Sequence, residues 1–252
     1  MTQQSLPDNT GAPLVGFTAS WNTGSFSEHS HARHQLLYCV RGVVHMITPQ
    51  HTWVVPQGRA LWIPANFVHS YRIDRATVLD IIYLRKGAFN IEHEDTCFVL
   101  KVSPLLRELI EACVRLPQEY APDSPEMRLA HVLVDQLRGV QSLPFDLPFP
   151  VDVRARAIAE HLENNPGGGE PLAKLARQAG ASARTIERVF YRETGMTFTT
   201  WRRRQRLLAA LDMLALGNNA TTVAFSVGYS SVSSFIVAFK DMFGITPNRY
   251  FA

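Results

Sequence analysis

The chain has 252 residues, enough for one large domain or two small ones, each with its own core. Only a short apolar run, Val78–Leu84, interrupts its moderate hydropathy, against the roughly 18 consecutive apolar residues of a membrane span. The opening MTQQSLPDNT lacks a basic stretch followed by an apolar one, and Cys39, Cys97 and Cys113 show no CxxC spacing. A cytoplasmic protein with free thiols and no membrane partner is expected. The formal charge of +3 is unevenly spread: residues 1–150 carry a net −2, while residues 151–252 carry +5 with 11 arginines. Histidine runs the other way, with eight of nine before residue 150. A histidine-rich neutral half joined to an arginine-rich basic half predicts two domains with different partners.

In chain order, QLLYCV, VVHMI, TWVV, ALWIP, VHSYRI and TVLDIIYL between Gln35 and Leu84 read as short strands broken by turns. Ser103 followed by Pro104 opens a helix with Leu105, Leu106, Leu109, Ile110, Cys113 and Leu116 at helical spacing. Ser124, Pro125 and Glu126 open a second, with Leu129, Val132, Leu133 and Leu137 on one face. Two such stripes must be buried, either on the β-domain or in a dimer interface. SLPFDLPFP, with three prolines in nine residues, reads as a semi-rigid extended linker at the point where the charge balance flips. The expected division is 1–141, a linker 142–151, and 152–252.

The tail repeats itself at a 49-residue shift. Ser182 falls on Ser231, Ile186 on Phe235, Val189 on Ala238, Phe190 on Phe239, Gly195 on Gly244 and Thr197 on Thr246. In the first copy PLAKLARQAG supplies a short helix, Gly180 breaks it and Ser182 caps the next, which is the pattern of a helix-turn-helix. The second helix exposes Arg184, Glu187, Arg188 and Tyr191, and guanidinium fits both the paired acceptors of guanine and phosphate. The second copy points Phe235, Ala238, Phe239 and Met242 inward and leaves Val232, Ser233, Ile236, Val237 and Lys240 outside. A long helix in TFTTWRRRQRLLAALDMLALG joins the copies, and a separation near one DNA turn, about 34 Å, suits successive major grooves. Arg202, Arg203, Arg204 and Arg206 at its start suit phosphates.

VAFSVGYSSVSSFIVAFKDMFGITPNRYF and LAKLARQAGASARTIERVFYRETGMTF resemble the DNA-binding domain of the AraC/XylS family of bacterial transcription regulators, over about residues 155–251. The resemblance implies a double helix-turn-helix that binds double-stranded promoter or operator DNA, with RNA polymerase as a partner if the protein is an activator. It puts Arg184, Thr185, Glu187, Arg188, Arg192 and Arg202 of the first half, and Ser231, Val232, Ser233, Val237 and Lys240 of the second, at DNA-facing positions. Valines cannot donate a hydrogen bond and can only touch a thymine methyl. The first reader is therefore expected to carry most direct sequence specificity.

EHSHARHQLLYCVRG places three histidines and a glutamine within seven residues. On a strand His29, His31 and Gln35 share parity and His34 has the other; Gln35 can join the two histidines only if the chain turns within ARH. With GRALWIPANFVH, these residues resemble the two cupin metal motifs: His29, His31, Gln35 and Gly42, then Gly58, Pro64, Asn66 and His69. Gln35 stands where the family has an acidic ligand and Asn66 where it has a glycine. The resemblance implies an all-β cupin-like barrel whose metal ligands are His29, His31, Gln35 and His69. Three imidazoles with an open position suit zinc, iron(II), nickel or cobalt.

The fold expected is a cupin-like barrel followed by two helices, then an all-α domain with two helix-turn-helix motifs joined by a long helix. The function expected is sequence-specific transcription regulation by a homodimer whose cupin domain senses a small ligand or metal, with no catalytic residues. The alternatives are a metal-dependent cupin enzyme, for instance a dioxygenase, fused to a DNA-binding module, and a cupin that serves only dimerisation.

Overall fold

A computed structural model describes residues 10–92 and 95–251. The opening segment as far as Asn9 lies outside them. The chain forms two compact units. One runs up to Ile47 and from Trp53 to Phe145; the other takes Thr48–Thr52 and everything from Asp146 onward.

The first unit is built from β1 (Leu14–Trp21), β2 (Gly24–His29), β3 (Arg33–Arg41), β4 (Val43–Ile47), β5 (His51–Pro56), β6 (Arg59–Ile63), β7 (His69–Ile73), β8 (Thr77–Arg85) and β9 (Phe98–Lys101). Helices α1 (Pro104–Cys113) and α2 (Pro125–Leu137) and a short β10 (Ser142–Leu143) follow. The strands make two sheets rather than one closed barrel: β1-β8-β3-β6-β9-β10, and a second in which β5, β4, β7 and β2 are neighbours in that order. The pairs β1–β8, β3–β8, β3–β6 and β6–β9 are antiparallel. All six strands expected from alternation are present; β1, β2, β9 and the short β10 are additions.

β3 is buried on both faces, and parity shows what each face meets. Leu36 and Tyr38 join a core cluster with Leu106, Leu109, Ile110, Cys113, Leu133, Val134 and Leu137 of α1 and α2. Most of both helix stripes is thus spent on the outer face of the first sheet, but Leu105 and Val132 depart from the expected buried faces and stay 54% and 44% exposed, the inward places on α2 going to Ala130 and Val134. Ser103 and Ser124 cap these helices, accepting from the Leu106 and Met127 N–H groups, with proline next as expected. The opposite face of β3 carries Gln35, which meets Tyr71 of β7, so it looks toward the second sheet.

Gly42, at φ 96°, makes the β3–β4 turn, and a Cβ there would lie 2.5 Å from the Thr77 hydroxyl oxygen. Asn66 has φ 63°, the one left-handed non-glycine among the described residues. Asparagine tolerates that conformation better than other side chains, which explains how it replaces a motif glycine.

The second unit begins with β11 (Asp146–Pro148), followed by α3 (Val153–Asn164), α4 (Leu172–Gln178), α5 (Ala183–Thr194), α6 (Phe198–Ala215), α7 (Ala220–Ser226), α8 (Val232–Phe243) and α9 (Pro247–Tyr250). The expected linker is not a free spacer. Phe145, Leu147 and Phe149 alternate and are all buried, and the Phe149 N–H donates to Gln50 O at 2.7 Å. Their period-two burial outweighs the three prolines, which supply the extended backbone. Trp201 anchors this region: it is fully buried, its indole N–H donates to Pro148 O at 2.6 Å, and its ring meets Phe149 and Phe190 edge-on. No helix among the described residues is long and apolar enough to cross a membrane.

Candidate functional site

The two helix-turn-helix units, α4–α5 and α7–α8, are built alike. Leu175 and Ala176 of α4 are buried as Val223 and Ala224 are in α7. Ser182 and Ser231 cap the second helices, each hydroxyl accepting the N–H three residues on, from Thr185 and Ser234. Gly195 and Gly244 end those helices in the left-handed region at φ 70° and 84°. The repeat shift is 49 residues after the turn but 48 before it, since Gly180 matches Gly228 and the Ala181 N–H→Ala176 O bond matches Tyr229 N–H→Ala224 O. The second turn holds one more residue, which a single fixed shift does not reveal.

On α5, Arg184, Arg188 and Arg192 are exposed. Thr185 shares a 2.9 Å hydroxyl contact with Ser182 at the cap, and Glu187 accepts from the Phe198 N–H at 3.3 Å, tying α5 to the start of α6. Arg192 pairs with Glu193, whose other oxygen accepts from the Val151 and Asp152 N–H groups. On α8, Ser233, Val237 and Lys240 are exposed, Val237 by 58%, and Val232 is half-buried. Ser231 is committed to the cap, its hydroxyl donating to Ser234 Oγ at 2.9 Å. An open groove beside α8 is lined by Arg203, Tyr229, Ser231, Ser233, Ser234 and Val237.

Three of the four α6 arginines correct the expectation of a phosphate-facing row. Arg202 donates to the Glu170 carbonyl at 2.6 Å and to that of Gly168. Arg204 reaches Asp146, and Arg206 the carbonyls of Gly168 and Gly228. A run of four arginines on a helix must face three directions, and only Arg203 is exposed, 3.4 Å from Asp241. Arg202 is therefore withdrawn as a DNA contact. Met242 is also only half-buried, the inward place going to Phe243.

The histidine cluster lies between the two sheets of the first unit. β2 ends at His29, residues 30–32 leave the strand and β3 begins at Arg33, so the chain turns at Ser30–Ala32 rather than within ARH, and His31 sits in that turn. The Asn66 N–H donates to His31 O at 2.8 Å, which ties this turn to the one preceding His69. His29 and His69 are paired across β2 and β7. Their rings are 4.5 Å apart; His31 is 5.3 Å from His69 and 6.3 Å from His29. His34, on the other face, is buried against Trp62 and accepts the Ala65 N–H, a core role.

Each of the three rings aims Nδ1 at a backbone carbonyl: His29 at Ser27 (2.9 Å), His31 at Arg33 (2.6 Å) and His69 at Phe67 (2.7 Å). A carbonyl only accepts, so Nδ1 carries the proton in each and Nε2 is directed elsewhere. His69 Nε2 is buried and has no hydrogen-bond partner among the described residues. Burial, aided by His29 and His31 and opposed by the Phe67 carbonyl, pulls the His69 pKa down to about 4, so the ring is neutral at pH 7. His31 Nε2 lies 2.9 Å from Gln35 Oε1, two acceptors face to face unless that ring takes a second proton, and Oε1 accepts from the Tyr71 hydroxyl at 3.0 Å. Tyr71 and Tyr83 stand edge-on to these rings, with Phe26 against Tyr71 and Phe17 against Tyr83.

An ion about 2.1 Å from three imidazole nitrogens places the ring centroids roughly 5 Å apart. Two of the three separations match and the third is longer by about 1 Å. The carbonyl-fixed Nδ1–H groups are the outer-shell arrangement that metal-ligating histidines use. Gln35 does not join them as an equal: its amide oxygen already accepts from the Tyr71 hydroxyl. No sequence signal pointed to Tyr71 or Tyr83, which topology alone brings here.

Residues 12–133 match the AraC-like ligand binding domain family, and residues 175–252 the Helix-turn-helix domain family. The chain is 30% identical over 248 residues to the HTH-type transcriptional regulator NimR of Escherichia coli (strain K12), covering 98% of this chain and 90% of that protein. It is 38% identical over 103 residues to the HTH-type transcriptional regulator RipA of Corynebacterium glutamicum, covering 41% and 31%. Among solved structures, unsaturated fatty acid bound ToxT from Vibrio cholerae aligns over 96% of each chain at 10% identity and a TM-score of 0.40. The chain belongs to the AraC family: it is a DNA-binding transcription regulator with an N-terminal domain of the ligand-binding type and a C-terminal helix-turn-helix domain.

Proposed function

We propose that the regulator responds to occupancy of the His29–His31–His69 pocket by a divalent transition metal, or by a small effector that takes the same nitrogens, and that it acts on promoter DNA as a homodimer. The observation that carries this reading is the buried, unpartnered Nε2 of His69 beside two rings whose Nδ1 protons are likewise engaged by carbonyls. A buried polar atom without a partner costs about 1–3 kcal/mol, which a ligand relieves. His29, His31 and His69 would hold the ion, which supplies a positive centre able to anchor an anionic effector. Gln35 then serves as the reporter: a ligand on His31 Nε2 displaces its amide, and β3 carries that change.

On DNA, Arg184 and Arg188 are assigned to base edges, with Arg192 at phosphate; Val232 and Val237 are assigned to thymine methyls, with Ser233 and Lys240 at the backbone. Activation through RNA polymerase and repression by occlusion are both open to this layout.

Elemental analysis of purified protein tests the pocket. Wild type is expected to retain zinc, nickel, iron or cobalt near one ion per chain, and His29→Ala/His31→Ala to lose it. Promoter affinity of chelator-stripped and metal-reloaded protein is expected to differ about fivefold or more. Equal metal in wild type and variant sinks the site. Equal DNA affinity in the stripped and reloaded forms leaves a domain with no sensing role.

A further inference from the structure

The arginines withdrawn from the DNA face converge on one place. Arg202 and Arg206, one helical turn apart on α6, both donate to the Gly168 carbonyl, Arg206 at 2.8 Å. Arg206 also donates to Gly228 O at 3.0 Å, in the turn of the second helix-turn-helix. Arg202 holds Glu170 O. Among the described residues, these backbone carbonyls are the only hydrogen-bond acceptors of the two guanidinium groups. Burial lowers both pKa values.

The glycines around them leave no room. A Cβ on Gly167 would sit 2.4 Å from Ser226 O, the last carbonyl of α7. A Cβ on Gly228, at φ 82°, would sit 2.7 Å from Arg206 Nη2 and 3.0 Å from Gly167 O. Gly167 and the turn after α7 therefore touch backbone to backbone, and α6 reaches both sides of that contact through its guanidinium groups. The equivalent turn of the first reader is open: Gly180 has a similar φ of 70°, yet its Cβ would meet nothing within 4 Å. Gly180 answers only a conformational need, whereas Gly228 answers that need and a packing one. A cation at the C-terminal end of α7 also suits the partial negative charge there.

We propose that Arg206 is a positioning residue for DNA reading, locking the turn of the second helix-turn-helix to the 167–169 loop and to α6 so that α8 is presented at a fixed setting relative to α5. Two readers on one rigid frame bind DNA without losing the freedom of a hinge on association. The inference rests on DNA reading by both units.

Hydrogen exchange of the full chain tests the lock without DNA. In Arg206→Met, peptides covering 220–231 are expected to exchange about tenfold faster or more, while those covering 172–183 stay within about twofold. Unchanged exchange at 220–231 overturns the proposal. If Arg206→Met unfolds the whole unit, Arg206→Lys decides: faster exchange confined to 220–231 supports the lock, and a uniform rise over 152–251 overturns it.

The DNA arm uses a duplex selected by wild type from a randomised pool, and the same duplex with one base pair inserted between the two protected halves. Wild type is expected to lose about tenfold or more on insertion; Arg206→Met is expected to bind the original about tenfold more weakly and to lose no more than about threefold further. An unchanged insertion penalty overturns the lock. So does a salt slope that drops by about one, which marks a phosphate contact instead. Failure of wild type to select any duplex counts against DNA reading, and the exchange result still stands for the lock.

Discussion

The two helix-turn-helix units share one architecture and differ in what they show to solvent and in how they are held. The first puts Arg184 and Arg188 on an exposed face, and its turn glycine is surrounded by open space. The second shows Ser233, Val237 and Lys240, and its turn is clamped to the frame through Arg206. Exposed guanidinium groups sit on the reader with the open turn; the reader with apolar and hydroxyl groups is the one fixed in place. The two copies share scaffold, caps and core, and the proposed reading gives them different roles: one unit specifies and the other sets register.

Changes to shared scaffold are expected to erase this difference, and changes to one reader to expose it. The largest effect is expected from Trp201→Ala, which removes the side chain joining Pro148, Phe149 and Phe190. A loss of about 3–5 kcal/mol in chemical unfolding is predicted, with DNA binding by both readers falling together. Gly167→Ala comes next: a carbonyl 2.4 Å from the new Cβ forces the loop and α7 apart at a cost of about 1–3 kcal/mol. Hydrogen exchange after that change should rise around α7 and not around α4. The smallest effects belong to the caps. Ser182→Ala and Ser231→Ala are each expected to cost about 1 kcal/mol in thermal unfolding. Equal cap losses with unequal effects on base discrimination would sharpen the division of roles; a cap loss in one copy alone would break the claim that the scaffolds are equivalent.

Much of this was legible in the residues. Serine-proline starts fixed α1 and α2, strand alternation found β3 to β8, and the repeated Ser-helix-Phe-Gly-x-Thr pattern found both readers. β1 and β2 escaped because LVGFTASW and GSFSEH are half-exposed along much of their length and lack a continuous apolar run. The proline-rich segment was misread because proline count speaks to stiffness, while the burial of Phe145, Leu147 and Phe149 is set by what packs on them. Arg202 and Arg206 were misread for a similar reason. Composition states that a helix is basic, but only the 3.6-residue period against a particular neighbour decides which guanidinium faces inward. In the histidine pocket, His29, His31 and His69 were readable from spacing, but the Gln35–His31 and Gln35–Tyr71 contacts depend on side chains meeting across sheets.

The central claim, that the first reader specifies and the second sets register, is tested most directly by affinity. Wild type, Arg188→Ala and Val237→Ala would be titrated against the selected duplex and against single base-pair changes in each half. Arg188→Ala is expected to lose about 1–3 kcal/mol of discrimination at one position in the first half, with Val237→Ala leaving discrimination there intact. Discrimination that survives Arg188→Ala and collapses with Val237→Ala would contradict the account.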